Sequence, residues 1–244
     1  MGGVLKVIKE RQSTRVPFNP RRSVSGVDLE KIVEAARWAP TPHNMQNFEI
    51  IVADDKETLK KIGNIKSPVS ESFIRENYNQ LSFSREGLLR RKVGILGTYF
   101  PPAWRDPARF DEVFTGERRS SLGDTMDGCP AVLIVVYDPK RRAPASEGDF
   151  LGILGLGCVM ENMWLTAQDL RIGFQIMSVF SGEKVQKEVK HTLDVPEHMK
   201  IAYAVRLGYP VHPSSGYLRV RRDTDDIVHH NRYRKKCPGA REKP

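Results

Sequence analysis

The longest apolar stretch of the chain lies at residues 150–173 and constrains the fold more than any other feature. It reads FLGILGLGCVMENMWLTAQDLRIG, and its length and composition predict a long buried helix. Its glycines and other small residues indicate close packing against another helix or against a dimer partner. The run before it, GCPAVLIVVYD at 128–138, is typical of a fully buried strand, and FQIMSVF at 174–180 follows as a strand or extended loop.

The remaining segments continue an alternation of helices and strands. Ser25 and Asp28 form a capping box that begins a helix, and Pro40 and Pro42 end this helix. The segments FEIIVADD, DKETLKKIG, GEKVQKEVKHTLDVPEH and IAYAVRLGYP then predict, in order, a strand, a small helix, a surface helix and a further strand. About four strands that alternate with helices around one apolar helix indicate an α+β or α/β fold.

The domain organisation that we predict is a single domain over residues 1–244 with two additions. The first is a partly helical insertion at about 64–128, in which three prolines and four aromatic residues fall within YFPPAWRDPARF. Such a segment suits a lid or an arm that embraces a second subunit, and a surface elaboration without a function is the alternative. The second addition is a polar and basic extension at about 211–244.

Three separated segments combine residue types that suit a nucleotide-like cofactor. Arg11-Gln12-Ser13-Thr14-Arg15 offers guanidiniums and hydroxyls, which can bind a phosphate through charge-assisted hydrogen bonds. The loop Pro40-Thr41-Pro42-His43-Asn44-Met45-Gln46 offers carboxamide donors and acceptors for the edge of a flavin or a base. Arg219-Val220-Arg221-Arg222 offers a second phosphate clamp far along the chain. An Arg-rich segment by itself is usually a solvated surface, so the prediction rests on the three segments together.

The net charge of +9 raises the alternative of a nucleic-acid-binding protein. Much of the excess falls at residues 11–22 and 219–236, with little aromatic interleaving and no helix-turn-helix, zinc-finger or RNA-binding signature. We therefore expect no nucleic acid as partner. The cysteines and histidines lack metal-ligand spacing, so we expect no metal site, and the unpaired cysteines suit a reducing cytoplasm. No run of about 18 apolar residues occurs, so we expect no membrane span.

Five segments follow one another in a characteristic order: RQSTR, EAARWAPTPHNMQNFEIIV, ENMWLTAQDLRIGFQIMSVF, LGYP and RVRRDTDDIVHHNRY. In this order they resemble the FMN-dependent nitroreductase family. The likeness extends over roughly residues 5–64 and 125–234, and EAARWAP with its trailing Asn and Gln is its most specific part. The glycines Gly152, Gly155 and Gly157, in contrast, lack the spacing of a dinucleotide-binding fingerprint.

The resemblance implies an α+β nitroreductase fold, in which helices flank a central mixed β-sheet and two chains intertwine as a homodimer. Two FMN molecules would lie at the dimer interface. In a ping-pong cycle, NAD(P)H would pass hydride to flavin N5, and a nitroaromatic, quinone or related acceptor would then bind over the same face. The isoalloxazine ring supplies this chemistry, so no catalytic acid or base is expected from the protein.

The same resemblance implies site residues at matching positions of this chain. Four would hold the FMN phosphate and ribityl chain: Arg11, Gln12, Ser13 and Arg15. Four would line the flavin ring, some of them across the dimer interface: Pro40, Thr41, Asn44 and Gln46. Three would lie along its other face, with a backbone N–H near N5: Ile176, Met177 and Ser178. Arg219 and Arg221 would close the phosphate site. The aromatic residues of the insertion are candidates for a substrate lid: Phe100, Trp104 and Phe110.

The chain departs from the family pattern at several of these positions. Gln12 stands where an Arg is common, Asn47 replaces the Pro that usually follows the Gln, and Phe48 stands where Trp is frequent. Ser178-Val179 replaces the Glu-Gly of some members, so a preference for NADH or NADPH does not carry over. Other flavin chemistry on the same fold is the alternative function, as a dehydrogenase, dehalogenase or flavin reductase, because such enzymes share the cofactor site and differ in the lid.

Overall fold

A computed structural model of the chain describes residues 3–67, 86, 90, 121–213 and 221–235. Each helix and strand predicted outside the insertion is present. The helices and strands are, in chain order, α1 (Gly3–Glu10), α2 (Gly26–Arg37), β1 (Phe48–Ala53), α3 (Lys56–Gly63), α4 (Leu122–Met126), β2 (Ala131–Tyr137), α5 (Phe150–Asp169), β3 (Gly173–Met177), α6 (Glu183–Thr192), β4 (Lys200–Gly208) and α7 (Thr224–Ile227). Short 3-10 helices cover Pro42–Asn44 and Ser178–Ser181.

The chain divides into two compact units. The first contains Met1–Pro68 and Arg119–Ser214, and the second contains Val69–Arg118 and Ser215–Pro244. The described residues at both ends of the predicted insertion belong to the first unit. A hydrogen bond joins these ends, in which the backbone N–H of Leu122 donates to the carbonyl of Ile65 at 2.9 Å. Most of the insertion predicted at about 64–128 lies outside the described residues, and its bounds stay a prediction.

The four described strands form one sheet in the order β1-β2-β4-β3, and every pairing is antiparallel. Because β2 and β3 both run antiparallel to β4, they run parallel to each other, and α5 makes the connection between them. This is a split β-α-β arrangement. In this part of the chain the sheet is antiparallel rather than mixed as predicted, since β4 lies between the two strands that share a direction.

Helices cover both faces of the sheet in the first unit. Alternate residues of β2 point to opposite faces, so that Leu133 and Val135 pack with α2 and α5, whereas Val132 and Ile134 pack with α3, α4 and α6. All seven residues of β2 are buried, as the sequence predicted for this run. The α2 helix begins as predicted, with the Oγ of Ser25 accepting from the backbone N–H of Asp28 at 3.1 Å.

By length and composition alone the α5 helix is apolar enough to cross a membrane. Polar residues such as Glu161 interrupt its apolar run without lowering the average hydropathy much. Six residues of α5 are nevertheless buried in the protein, which is the arrangement of a core helix: Gly155, Leu156, Val159, Met163, Trp164 and Ala167.

The side chain of Phe18 is buried at the end of the sheet where β3 begins and β4 ends. Gly173 and Gly208 are register partners there, and Phe18 is only 1% exposed. A Cβ atom on Gly173 would lie 2.5 Å from Cε1 of Phe18, and a Cβ atom on Gly208 would lie 2.9 Å from Cγ of the same ring. The two glycines therefore leave the space that the Phe18 ring fills. The packing of this ring brings the chain that precedes Phe18 against β3.

The contact predicts that Gly173→Ala destabilises the protein. The added methyl group must displace Phe18 or the paired backbone, and such overpacking typically costs about 1–3 kcal/mol. We expect a lower urea midpoint in unfolding followed by far-UV circular dichroism. Gly26→Ala is the matched control, because nothing lies within 4 Å of a Cβ atom at Gly26. Equal midpoints for the two variants would show that Phe18 does not constrain this corner.

Candidate functional site

The first predicted phosphate segment is anchored beside β3 through Thr14. The backbone N–H of Thr14 donates to the carbonyl of Phe174 at 2.9 Å, and the N–H of Phe174 donates to Oγ1 of Thr14 at 3.2 Å. Thr14 and Val16 are buried, whereas Ser13 and Arg15 are half-buried. Ser13 and Arg15 are therefore more accessible to a ligand than their neighbours Thr14 and Val16.

Arg11 and Gln12 make different contacts. The Nε of Arg11 lies 3.1 Å from Oε1 of Glu161, and its guanidinium stacks 4.3 Å from the ring centre of Trp164. This ion pair lacks hydrogen-bond geometry, since Arg11 Nε has no aligned acceptor. The indole N–H of Trp164 donates to the backbone carbonyl of Gln12 at 3.2 Å. Both residues are thus held against α5, and Arg11 would have to exchange Glu161 for a phosphate.

The predicted ring-binding loop is internally bonded and strained. Oγ1 of Thr41 accepts from the N–H of Gln46 at 3.1 Å, and Nε2 of Gln46 donates to Oδ1 of Asn44 at 3.2 Å. His43, Asn44 and Gln46 have φ values of 50°, 52° and 44°. Side chains other than glycine adopt this region at a cost of about 1–3 kcal/mol each, and such strain clusters at functional sites. The structure therefore brings Thr41, Asn44 and Gln46 into one exposed polar loop.

Glycines of α5 make room for this loop. A Cβ atom on Gly155 would lie 3.3 Å from Cδ of Pro42, and a Cβ atom on Gly152 would lie 2.9 Å from Nδ2 of the buried Asn47. The close packing that the sequence predicted at these glycines includes contact with this loop. Asn47, which replaces the usual Pro of the family, fills the space beside Gly152.

The predicted segment after β3 divides between the two faces of the sheet. Ile176 is partly buried against the core that contains α2 and α5, whereas Met177 is 2% exposed and lies in the opposite core. Ser178 is exposed at the start of the 3-10 helix. The side chains of Ile176 and Met177 therefore cannot line one ring together, and a ligand on the Ile176 side could meet only the backbone of Met177.

The α5 helix supports both N-terminal segments. Arg11 contacts it at Glu161, and the Pro40–Gln46 loop contacts it at Gly155. Six residues separate these positions, a distance of about 9 Å along a helix. Because Thr14 also bonds to β3, these segments converge on α5 and the β3 strand that follows it. The two N-terminal segments thus lie against the same helix, and the first of them also lies against β3.

Several predicted residues remain predictions. Arg219 and the lid candidates Phe100, Trp104 and Phe110 lie outside the described residues. Arg221 is exposed in the second unit, which is described separately from the first. The closure of the phosphate site by Arg219 and Arg221 is therefore untested by the structure.

Sequence reasoning missed Arg206, which is 1% exposed on β4. Its Nε donates to Oε1 of Gln175 at 2.8 Å, and its other nitrogens donate to three backbone carbonyls: Met126 at 3.2 Å, Thr14 at 3.4 Å and Val16 at 3.3 Å. The available signal was a single cation inside the apolar run IAYAVRLGYP, since a buried charge requires partners.

Several described ionisable groups have pKa values shifted from their ordinary values. Hydrogen bonds from Arg37 and Trp38 lower the pKa of Glu34 to about 2. Burial raises the pKa of the Cys129 thiol to about 12, against an opposing effect of the Arg206 charge. Among the described residues, every shifted pKa moves away from neutrality, and no group of three or more His, Cys, Asp or Glu side chains could hold a metal ion.

Comparison with known proteins gives a consistent result. The family model described as Nitroreductase family matches residues 8–209. A protein of Archaeoglobus fulgidus named NADH dehydrogenase/NAD(P)H nitroreductase is 25% identical over 229 residues, 94% of this chain and 98% of that protein. The NADPH-dependent oxidoreductase of Staphylococcus haemolyticus is 23% identical over 239 residues, 98% of this chain and 77% of that protein.

A solved structure, a nitroreductase with bound FMN from Desulfitobacterium hafniense, superposes with a TM-score of 0.58 at 21% identity. The superposition covers 94% of this chain and 99% of that one. A second, a nitroreductase with bound FMN from Bacteroides fragilis, has a TM-score of 0.57 at 18% identity, with 94% and 99% of the two chains covered. These likenesses confirm the predicted fold.

The raised pKa of Cys129 predicts an unreactive thiol. The thiolate is the reactive form, and a pKa of about 12 leaves about 1 thiol in 10,000 deprotonated at pH 8. In a Cys158→Ser/Cys237→Ser variant, we expect Cys129 to resist Ellman's reagent in the native protein and to react fully in urea. Rapid reaction of the native protein would contradict the burial of this residue beside Arg206.

Proposed function

The chain belongs to the nitroreductase family, and we propose that it is an FMN-dependent oxidoreductase that takes hydride from NAD(P)H. The observation that carries the proposal is the convergence of the segments Arg11–Arg15 and Pro40–Gln46 on α5, beside β3. The names of the relatives from Archaeoglobus and Staphylococcus and the FMN bound by the two solved nitroreductases support the same cofactors.

The residues present fit the phosphate end of FMN. Ser13 offers a hydroxyl and Arg15 a guanidinium on an anchored segment, and both groups form strong hydrogen bonds to phosphate oxygens. Arg11 pairs with Glu161 and would have to exchange that partner for a phosphate. We expect Ser13 and Arg15 to contribute to the phosphate affinity, with Arg219 and Arg221 as further ligands.

The loop after α2 fits the polar edge of an isoalloxazine ring. That edge alternates donors and acceptors, and the carboxamides of Asn44 and Gln46 supply both. Their mutual hydrogen bond holds the two side chains in one orientation before a ligand binds, which reduces the entropy lost on binding. The partly buried Ile176 supplies an apolar surface for the ring.

The protein itself needs little acid or base chemistry for this function. When bound, FMN accepts hydride from the nicotinamide and delivers it to the acceptor. The chain's own groups would bind and orient the flavin. We propose a nitroaromatic, quinone or related acceptor and a ping-pong order. The two described cysteines are free, which fits a location in the cytoplasm.

A homodimer accounts for an exposed apolar surface on α1 and α5. The α1 helix has no buried residue, and it contacts α5, whose N-terminal half also exposes apolar side chains. Contiguous apolar surface of this kind usually marks an interface. We propose that a second copy of the chain covers the exposed apolar residues of both helices: Val4, Leu5, Ile8, Phe150, Leu151, Ile153 and Leu154.

The phosphate assignment predicts that Arg15→Ala/Arg221→Ala weakens FMN binding by several kcal/mol. Hydrogen bonds to charged groups contribute about 1.5–3 kcal/mol each. Flavin fluorescence titration of the apoprotein measures the dissociation constant. Purified wild-type protein should be yellow and lose its visible flavin band on anaerobic addition of NADH or NADPH.

The matched control is Arg21→Ala/Arg232→Ala, which removes the same charge from exposed positions, again one in each unit. If both double variants lose affinity equally, the effect is one of net charge and the assignment fails. A wild-type protein that is colourless and does not bind added FMN would contradict the proposed function itself.

The dimer predicts that Leu154→Lys weakens self-association by about tenfold or more, because a lysine would be buried in an apolar interface without a partner. Size-exclusion chromatography with light scattering over a dilution series measures the shift. Val27→Lys on α2 is the control, since Val27 is 62% exposed and lies outside the proposed interface. Unchanged association of Leu154→Lys, or a monomeric wild type, would refute this interface.

A further inference from the structure

We propose that Arg206 is a positioning residue for the cofactor phosphate: its buried guanidinium holds the backbone of Thr14 and Val16 so that Ser13 and Arg15 face the ligand. Arg206 itself does not touch the cofactor in this proposal. The inference rests on the proposed FMN function, and it adds a residue that lies far along the chain from the segment it orients.

One nitrogen of Arg206 serves two carbonyls of the phosphate segment. Its Nη2 donates to the carbonyl of Thr14 at 3.4 Å and to that of Val16 at 3.3 Å. These two carbonyls belong to the residues on either side of Arg15. Pairing with both therefore fixes the backbone from which the Arg15 side chain extends.

The other nitrogens of the guanidinium fix its own position. Nε donates to Oε1 of Gln175 on β3 at 2.8 Å, and Nη1 donates to the carbonyl of Met126 at the end of α4 at 3.2 Å. Asp127 brings a carboxylate to 3.6 Å of Nη1. The guanidinium also lies 4.8 Å from the centre of the Phe18 ring. Contacts from three separate parts of the fold thus orient the guanidinium of Arg206, which in turn holds the backbone of Thr14 and Val16.

A lysine could not reproduce this arrangement. The guanidinium presents five N–H donors in a rigid planar fork, whereas an ammonium is a point charge with three donors on a flexible stem. An ammonium at position 206 could reach one or two of the four acceptors, and the remaining buried carbonyls would lose their partner. The segment could then relax, and Ser13 and Arg15 would no longer be held toward one ligand.

A comparison of FMN with riboflavin separates positioning from a merely structural role. Riboflavin has the same ring and ribityl chain but no phosphate. General destabilisation lowers the affinity for both flavins alike, whereas misplacement of Ser13 and Arg15 lowers the affinity for FMN alone. The informative quantity is therefore the ratio of the two dissociation constants, measured by fluorescence titration of full-length apoprotein.

We expect the wild-type protein to prefer FMN over riboflavin and Arg206→Lys to lose about tenfold or more of this preference. Arg206→Met should lose at least as much. Lys190→Met is the matched control, because Lys190 is also a buried cation, 7% exposed, but donates to the carbonyl of Glu197 at 2.7 Å, outside the segment. Its ratio should equal that of the wild type.

Thermal melting establishes which variants fold. If Arg206→Met and Arg206→Lys do not fold, the test uses Gln175→Leu. This substitution removes the acceptor of Nε but keeps the charge of Arg206, so it should reduce the preference for FMN over riboflavin by a smaller factor. The inference is overturned if the folded variants keep the wild-type ratio, or if Lys190→Met changes the ratio as much. A wild type that binds neither flavin would instead overturn the proposed function, and this inference with it.

Discussion

The pairing of one buried guanidinium with the backbone carbonyls of Thr14 and Val16 is the interaction on which the candidate site depends. A charge removed from water is costly, and Arg206 is stable in the core only because its donors find acceptors. The same acceptors are carbonyls that would otherwise be buried without a partner. The same hydrogen bonds therefore satisfy the buried charge and the buried carbonyls. They also hold the N-terminal segment against β4.

The α5 helix provides the second constraint, because both N-terminal segments lie against it. Its glycines allow the Pro40–Asn47 loop to approach the helix closely, so the positive φ values of His43, Asn44 and Gln46 are maintained by packing and by local hydrogen bonds. The loop stores strain where carboxamides are presented outward. Backbone strain of this kind clusters at functional sites, so it supports the proposed binding role of the loop.

Local features made much of the fold predictable. The capping residue Ser25, the prolines after α2 and the apolar run of β2 act over a few residues, and the structure has each element where these signals predicted it. The family resemblance likewise identified segments that converge on α5. The contacts of Arg11 with Glu161 and of Arg206 with Thr14 were not predictable, because they join residues about 150 and 190 positions apart.

The sequence by itself determined the elements, their order, the family and the residue types available for an anion and a heterocycle. Hydrophobic periodicity and helix capping depend on residues within a few turns of each other, so they can be recognised in a single sequence. Only the tertiary structure decided that the sheet is antiparallel in the described strands, that Ile176 and Met177 face opposite cores, and that Arg11 pairs with Glu161. These outcomes depend on strand pairing and on buried charge, which are settled between segments distant in sequence.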